Sequence, residues 1–396
     1  MHLCIYAFMH FISYVFTFKD PVMYMSKLLS QGGFGCVFYP GIKCNGKAST
    51  NDDFATKLQV KSFNSNNEIK IGSMISVRPS YELFFSPVIS SCNINIRNAE
   101  NGEISKCKIV RDYRSKYIAM DMPYIDHVTI SDIVEKNQAS DIILTLFESY
   151  KYLLMGLEKL RQLNIVHYDI KLENILFLKT TSDPRIIDFG ISIPIDDLND
   201  DNMKKYFYVY SPSYYVWCMD INIINFLLHE TNDDLTYEDA MSIANLYVAS
   251  NRALLLYSQD FINQFLDLCV IQVKKYVGRP KNDVIQELIG HSKTWDNYSL
   301  SIIYLRIIAM LFPADEHKNT FIVLMSQILL TNIHPDPLRR ISPNDTLSQF
   351  EDIYFLGGDV ESYIALSRSF GIDKLKTTSQ IRNDIEDLKN LKINPS

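Results

Sequence analysis

The sequence predicts an α+β fold with two lobes: a small strand-rich N-terminal lobe with one main helix, and a larger, mainly helical C-terminal lobe. Up to residue 123, short apolar segments alternate with turn residues, which is typical of strands. From Asp141 onward, apolar residues recur at spacings of three and four, which is typical of amphipathic helices. The 396 residues, 47% of them hydrophobic, are ample for a core and exclude a disordered or fibrous protein.

The change of period divides the chain into candidate units. We expect an apolar extension at 1–22, a first lobe at 23–123 that contains an insertion at 90–115, a second lobe at 124–356 and a helical tail at 357–396.

The extension carries no charged residue before Lys19, so it lacks the positive start that a secretory signal needs. It is also marginal in length for a membrane span, which takes about 20 apolar residues. A membrane anchor is therefore the less favoured alternative, and we expect an extension packed on the fold or a start codon placed too early.

Charge and cysteine content exclude other classes. With 39 Lys and Arg against 46 Asp and Glu, the net charge is −7 and no long basic run occurs, so we expect no nucleic-acid partner. The cysteines stand singly without a C-x-x-C pair, which argues against a zinc site and a disulfide scaffold. We expect reduced intracellular thiols, most of them small core residues. The seven are Cys4, Cys36, Cys44, Cys92, Cys107, Cys218 and Cys269.

The first lobe is predicted from short elements in order. Strands are expected at about 25–29, 36–39, 54–58 and 117–120. A polar stretch with several asparagines precedes a helix expected at about 68–75. The polar residues 90–115 are expected to form a loop insertion that joins two strands.

The second lobe is predicted to be helical. A stripe from Ile143 to Leu160 forms one apolar face, and the apolar run 300–312 is too short for a membrane span and carries Arg306, which favours a buried helix. In the tail, apolar residues from Ile381 to Leu391 share one helical face that could dock on the chain itself or on a partner.

A glycine turn between the first two strands is the first chemical signal. Gly32 and Gly35, with Phe34 at the tip, would let backbone N–H groups approach a phosphate without an intervening side chain. An ordinary hairpin turn is the alternative, because glycine turns between strands are common.

Two later segments favour phosphate chemistry. In His167–Asn174, Asp169 can orient a hydroxyl and accept its proton, and Lys171 can steady a transferring phosphoryl group. Asn174, together with Asp188 in Ile187–Gly190, supplies the hard oxygen ligands that Mg²⁺ prefers.

With these motifs the sequence resembles the eukaryotic-type protein kinases, from about Leu28 to Leu347. Phosphate loop, lysine strand, catalytic loop and metal loop occur in the order of that family. The resemblance implies the two-lobed protein-kinase fold and the use of ATP and Mg²⁺. Lys171 matches the serine/threonine pattern, so it also implies protein substrates that bear Ser or Thr.

The resemblance assigns catalytic roles to Asp169, Lys171, Lys57 and Glu68. Lys57 would contact the ATP phosphates, and Glu68, expected to open a helix, would be its ion-pair partner. Met120 would guard the back of the adenine pocket, and the backbone of residues 121–123 would bond the base as the hinge. The nucleotide would contact Leu29, Ser30, Gln31, Gly32, Gly33, Phe34, Gly35, Cys36, Val37, Lys57, Met120 and Asp121.

The chain departs from the family pattern at three points. Ser30 stands where the first glycine of the loop is usual, and Tyr168 replaces the arginine before the catalytic aspartate. Without that cation, a phosphate on the activation segment has no obvious partner there, so we expect activity without such phosphorylation. The Ala-Pro-Glu terminator is missing; either 211–213 or 218–220 stands in, and we favour Asp220 as the partner of Arg340.

Within the family, the long insertion and the degraded terminator look most like the kinases of large DNA viruses. That likeness implies a protein of the host cytoplasm that can be packaged in virions. An active serine/threonine kinase is the leading hypothesis; the alternatives are a pseudokinase scaffold and a phosphotransferase acting on small molecules. The oligomeric state is not predicted.

Overall fold

A computed structural model describes residues 26–32, 35–45, 52–98, 103–111, 114–231, 233–255, 257–312, 320–356 and 373–391. The predictions for the extension 1–22 and for Gly33 and Phe34 lie outside the described residues, as do those for parts of the insertion and the tail.

The first lobe is built on a five-stranded antiparallel sheet in the order β1-β2-β3-β5-β4. Its strands are β1 (Lys27–Gln31), β2 (Cys36–Tyr39), β3 (Phe54–Val60), β4 (Ser90–Ile94) and β5 (Tyr117–Pro123). The central pair β3 and β5 places Lys57 directly opposite Met120. The lysine strand therefore lies in the middle of the sheet, where its position is best constrained.

The insertion is not a plain loop, which corrects the prediction for residues 90–115. Its first five residues form the edge strand β4, and Ile94, Ile96, Ile104 and Cys107 are buried with residues of β2 and β3. The apolar residues among the polar ones drive this packing, because together they cover one face of the sheet.

One helix, α1 (Phe63–Ser76), packs beside this sheet and begins earlier than predicted. Ser62 caps it, since its side chain accepts the N–H of Ser65 while the Ser65 hydroxyl accepts the N–H of Ser62. The polar, asparagine-containing stretch that was expected to precede the helix thus belongs to it. Glu68 consequently lies in its second turn and does not open it, which corrects that prediction.

The prediction of reduced thiols is wrong for four cysteines. Cys36 is bonded to Cys107 and Cys44 to Cys92, with Cα–Cα distances of 5.9 and 5.8 Å. The partners are 71 and 48 residues apart in the chain, and only the folding of the insertion onto the sheet brings them together. Cys218 and Cys269 are free and buried, as expected for small core residues.

The second lobe is mainly helical, so the predicted two-lobed α+β fold is confirmed. Its helices are α2 (Ile130–Lys136), α3 (Ala139–Gln162), α4 (Met203–Tyr206), α5 (Met219–His229), α6 (Tyr237–Ser250), α7 (Gln259–Lys274), α8 (Lys281–Ile289), α9 (Trp295–Leu311), α10 (Thr320–Asn332), α11 (Pro343–Leu356) and α12 (Lys374–Asn390). Its short strands are β6 (His127–Val128), β7 (Ile165–Val166), β8 (Ile175–Leu178), β9 (Pro184–Ile186) and β10 (Ile193–Pro194).

Two helices confirm specific expectations. The predicted apolar run lies in α9, which is buried along nearly its whole length. In the tail, α12 docks on the chain itself: Ile381 and Leu388 are buried in the main core, and Asp384 accepts hydrogen bonds from Arg306 of α9. None of the helices in the described ranges has the length and apolar character needed to cross a membrane.

Candidate active site

The described ends of the glycine turn, Gly32 and Gly35, lie close to each other, and Gly35 lies against β3. The Gly32 N–H donates to the Gly35 carbonyl at 2.9 Å, which closes the turn. A Cβ atom at Gly35 would lie 2.8 Å from the Leu58 carbonyl oxygen, so only glycine allows the turn to approach β3 this closely. Leu29, Ser30 and Gln31 enter the turn from β1, and Cys36 and Val37 leave it on β2.

Lys57 joins three elements below this turn. Its Nζ donates to both carboxylate oxygens of Glu68 at 2.9 Å and to Asp188 Oδ1 at 2.9 Å. The Lys57 and Glu68 side chains are buried, whereas that of Asp188 remains 36% exposed. The strand, α1 and the loop after β9 thus converge on one cation, as the sequence predicted for Lys57 and Glu68.

The electrostatics of this trio follow from burial and mutual attraction. Burial alone would lower the pKa of Lys57, but the charges of Asp188 and Glu68 outweigh it and raise that pKa. For Asp188, burial is the largest single effect and acts to raise the pKa, but the charge and hydrogen bond of Lys57 together with the charge of Lys171 outweigh it, so the pKa is lowered. Burial raises the pKa of Glu68 in spite of Lys57. The lysine therefore stays charged, and Asp188 stays a carboxylate able to bind a cation.

The loop predicted to be catalytic, residues 167–174, brings together a second group of side chains. Asn174 donates its amide to the backbone oxygen of Asp169 at 2.8 Å and to its Oδ2 at 2.9 Å, and Lys171 Nζ lies 2.9 Å from the same Oδ2. Burial lowers the pKa of Lys171, but Asp169 and Glu173 outweigh it, so the pKa is raised and the ammonium persists. Asp169, Lys171 and Asn174 are therefore brought together as predicted.

Backbone strain marks both loops. Tyr168 has φ of 70° and Asp188 has φ of 64°, in the left-handed region that residues with a side chain rarely adopt. Each stands at or next to a residue predicted to act in catalysis. Strain of this kind persists only where the surroundings hold it, and it concentrates at functional sites.

Asn67, one residue before Glu68, ties α1 to the segment after Asp188. Its amide donates to the backbone oxygens of Gly190 at 3.2 Å and Ser192 at 2.8 Å, and its Oδ1 accepts from the Tyr206 hydroxyl. On the surface, Lys70 pairs with Asp197. Neutral hydrogen bonds of Asn67 and one exposed ion pair thus link α1, the helix that carries Glu68, to the segment after Asp188.

Tyr168 fills its position by packing. Its ring is 1% exposed and contacts the rings of Trp217 and Phe207, and its hydroxyl accepts from Asn225 at 3.2 Å. An arginine at this point would be a buried cation, whereas the tyrosine joins an aromatic cluster. An uncharged side chain therefore occupies the position before Asp169.

The hinge prediction needs a correction. Residues 121–123 belong to β5, and the Asp121 carbonyl accepts the Ile89 N–H at 2.9 Å. Pro123 has no N–H, and the Tyr124 N–H donates to Asp53. Met120 is fully buried behind this edge. A base in this position therefore finds no donor at Pro123, a restriction that the motif-based assignment overlooked.

Two residues that sequence analysis missed support the catalytic loop. Asp296, at the start of α9, accepts the N–H of His167 at 2.7 Å and of Tyr168 at 3.0 Å. Tyr214 is fully buried and donates its hydroxyl to Asp169 Oδ1. An isolated acid in the first turn of a long apolar helix could have signalled Asp296; the sequence holds no comparable signal for Tyr214.

The donor set fits a divalent cation. The Asn174 amide nitrogen is used within its loop, which leaves the side-chain oxygen as the ligand available to a cation. Asp188 adds a partly exposed carboxylate. Two hard oxygens from adjacent loops suit a hard divalent cation better than a softer metal.

Comparison with known proteins agrees with this geometry. Residues 25–215 match the family model of the protein kinase domain. The match supports a protein kinase that uses ATP with a divalent metal, and the fold is the two-lobed fold of that domain. No curated protein matches the chain.

Proposed function

We propose that this chain is an active serine/threonine protein kinase, which transfers the γ-phosphate of ATP to Ser and Thr hydroxyls of proteins. The acceptor hydroxyl gives its proton to Asp169, and Lys171 steadies the phosphoryl group in transfer. Lys57 orients the α- and β-phosphates. Mg²⁺ held by Asn174 and Asp188 would neutralise charge on the phosphates.

The observation that carries the proposal is the contact of Lys57 with both Glu68 and Asp188. Lys57 Nζ contacts the carboxylates of Glu68 and Asp188 at 2.9 Å each. These contacts fix the positions of α1, β3 and the loop after β9 relative to one another. Phosphoryl transfer relies mainly on positioning and charge neutralisation, and these contacts supply both. A scaffold that only bound partners would not require them.

Activity without activation-segment phosphorylation is part of the proposal. Asn67 and Lys70 already link α1 to this segment, and the aromatic packing of Tyr168 leaves no cation at its position to receive a phosphate. An activating phosphate would therefore have little left to order.

The test is transfer of labelled γ-phosphate from Mg·ATP to a generic protein acceptor. We expect label on Ser or Thr, its loss in Asp169→Asn, and full activity after phosphatase treatment. Loss of all activity after that treatment would contradict the proposal that activity does not need phosphorylation of the activation segment. No label from folded protein with Mg²⁺ or Mn²⁺ would favour a pseudokinase scaffold, and label on small hydroxyl compounds alone would favour a small-molecule phosphotransferase.

The wider assignments stay predictions. They are the relationship to kinases of large DNA viruses, the host cytoplasm as location, and the absence of nucleic-acid and membrane partners. The thiol argument for a reducing compartment no longer supports the location, because four cysteines are paired.

A further inference from the structure

Residues 103–111 of the insertion, called the insertion segment below, pack against β2 and β3 of the first lobe. Ile104 and Cys107 are each 2% exposed and share one apolar cluster with Cys36, Phe38 and Leu58 of β2 and β3. The segment is thus part of the apolar core that covers β2 and β3.

The insertion segment touches both ends of the glycine turn. At one end, Cys107 is bonded to Cys36, the residue directly after Gly35. At the other, the Lys108 N–H donates to the side-chain oxygen of Gln31, the residue directly before Gly32, at 3.2 Å. Two consecutive residues of the segment therefore hold the entry and the exit of the turn.

From these contacts we propose that the insertion segment is a positioning element for the glycine turn, locked in place by the Cys36–Cys107 disulfide. The inference rests on the proposed function in that the turn binds nucleotide phosphates. A turn whose two ends, at Gln31 and Cys36, are held in place loses less conformational freedom on binding, so the disulfide strengthens nucleotide affinity. No residue of the segment takes part in phosphoryl transfer.

The second disulfide provides an internal control. Cys44 is exposed, whereas Cys36 and Cys107 are buried, so a small dithiol reaches the Cys44–Cys92 bond first. The thiolate of the dithiol attacks one sulfur of the protein disulfide, which forms a mixed disulfide and releases one protein thiol. The second thiol of the dithiol then attacks the mixed disulfide and releases the other protein thiol. Two electrons pass to the protein disulfide, which becomes two thiols, and the dithiol leaves as a cyclic disulfide.

The experiment titrates the protein, purified without reductant, with dithiothreitol. Alkylation and mass spectrometry follow each disulfide, and a fluorescent ATP analogue reports the nucleotide Kd. We expect reduction of Cys44–Cys92 to leave Kd unchanged. Reduction of Cys36–Cys107 should raise Kd by about three- to tenfold, the scale of a lost preorganised contact, with kcat unchanged.

Two variants complete the test. Cys107→Ala should show the weakened Kd without dithiol and no further response to it. The matched control, Cys44→Ser with Cys92→Ser, should keep the wild-type Kd. Thermal unfolding checks that each variant is folded, and the dithiol titration of the unmodified chain needs no variant.

Two results would overturn the inference: oxidised protein that lacks the Cys36–Cys107 bond, or an unchanged nucleotide Kd when that bond is reduced. Binding is measured apart from catalysis, so the two proposals fail separately. A Kd shift in a protein that transfers no phosphate contradicts only the proposed function, and full transfer with an unchanged Kd contradicts only the positioning role.

Discussion

Arg340 and Asp220 form an ion pair in the interior of the second lobe, with side chains only 1% and 2% exposed. Trp295 also donates its indole N–H to Asp220, at 3.0 Å. The pair confirms Asp220 as the partner of Arg340, which the sequence had left open between two segments. It fastens the start of α5 to the loop before α11.

Removing one partner of this pair should be costly. Asp220→Ala leaves a buried guanidinium uncompensated, so we expect the free energy of unfolding to fall by about 3–5 kcal/mol. Urea-induced unfolding of the variant and of the wild type measures this difference in the free energy of unfolding. The exposed pair of Arg279 and Glu287 is the control, and Glu287→Ala there should cost much less, because water and salt screen an exposed ion pair. Equal losses in both variants would contradict the interpretation.

Replacing Lys57 should make stability depend on pH. In Lys57→Met, Glu68 loses the cation that lowers its pKa, so burial and the nearby Asp188 charge raise that pKa further. The folded state would bind more protons than the unfolded state, so its stability falls as pH rises. We expect the loss relative to wild type to be larger at pH 8 than at pH 5.5. Lys61→Met, an exposed control, should show no such trend.

Restoring a backbone donor at the hinge should strengthen base recognition. Pro123→Ala adds an N–H, and one net hydrogen bond of about 0.5–1.5 kcal/mol corresponds to a two- to tenfold lower Kd for ATP. An ATP analogue with carbon in place of adenine N1 is the control. Wild type should bind both nucleotides equally, and the variant should prefer ATP. A wild-type preference for ATP over the analogue would show that N1 is already bonded.

Tyr214 should act through Asp169, the proposed catalytic base. Tyr214→Phe removes the hydroxyl that donates to Asp169 Oδ1 and keeps the ring. Because hydrogen bonds to charged groups contribute about 1.5–3 kcal/mol, we expect kcat to fall at least about tenfold with both KM values unchanged. Tyr210→Phe is the control, since the Tyr210 hydroxyl has no partner among the described residues. Faster transfer by Tyr214→Phe would mean that the tyrosine obstructs the acceptor.

Much of the candidate site could be predicted because its chemistry is concentrated in short motifs. Asp169, Lys171 and Asn174 lie within six residues, and Asp188 follows in the next loop, so their grouping needs little knowledge of the fold. Lys57 and Glu68 are eleven residues apart on neighbouring elements, and the resemblance to the protein kinases implied their pairing. The start of α1 was missed because its cap consists of two serines in a polar stretch.

The sequence by itself determined the two-lobed fold class, through the change from strand to helix period, and the residues that meet at the cleft, through local motifs. Only the tertiary structure decided which distant groups complete the site. Asp296 and Tyr214 reach the catalytic loop from 129 and 45 residues away, and Cys107 reaches Cys36 across 71. Such contacts arise because burying apolar surface drives the chain together, and that packing is a property of the whole sequence and not of any local pattern.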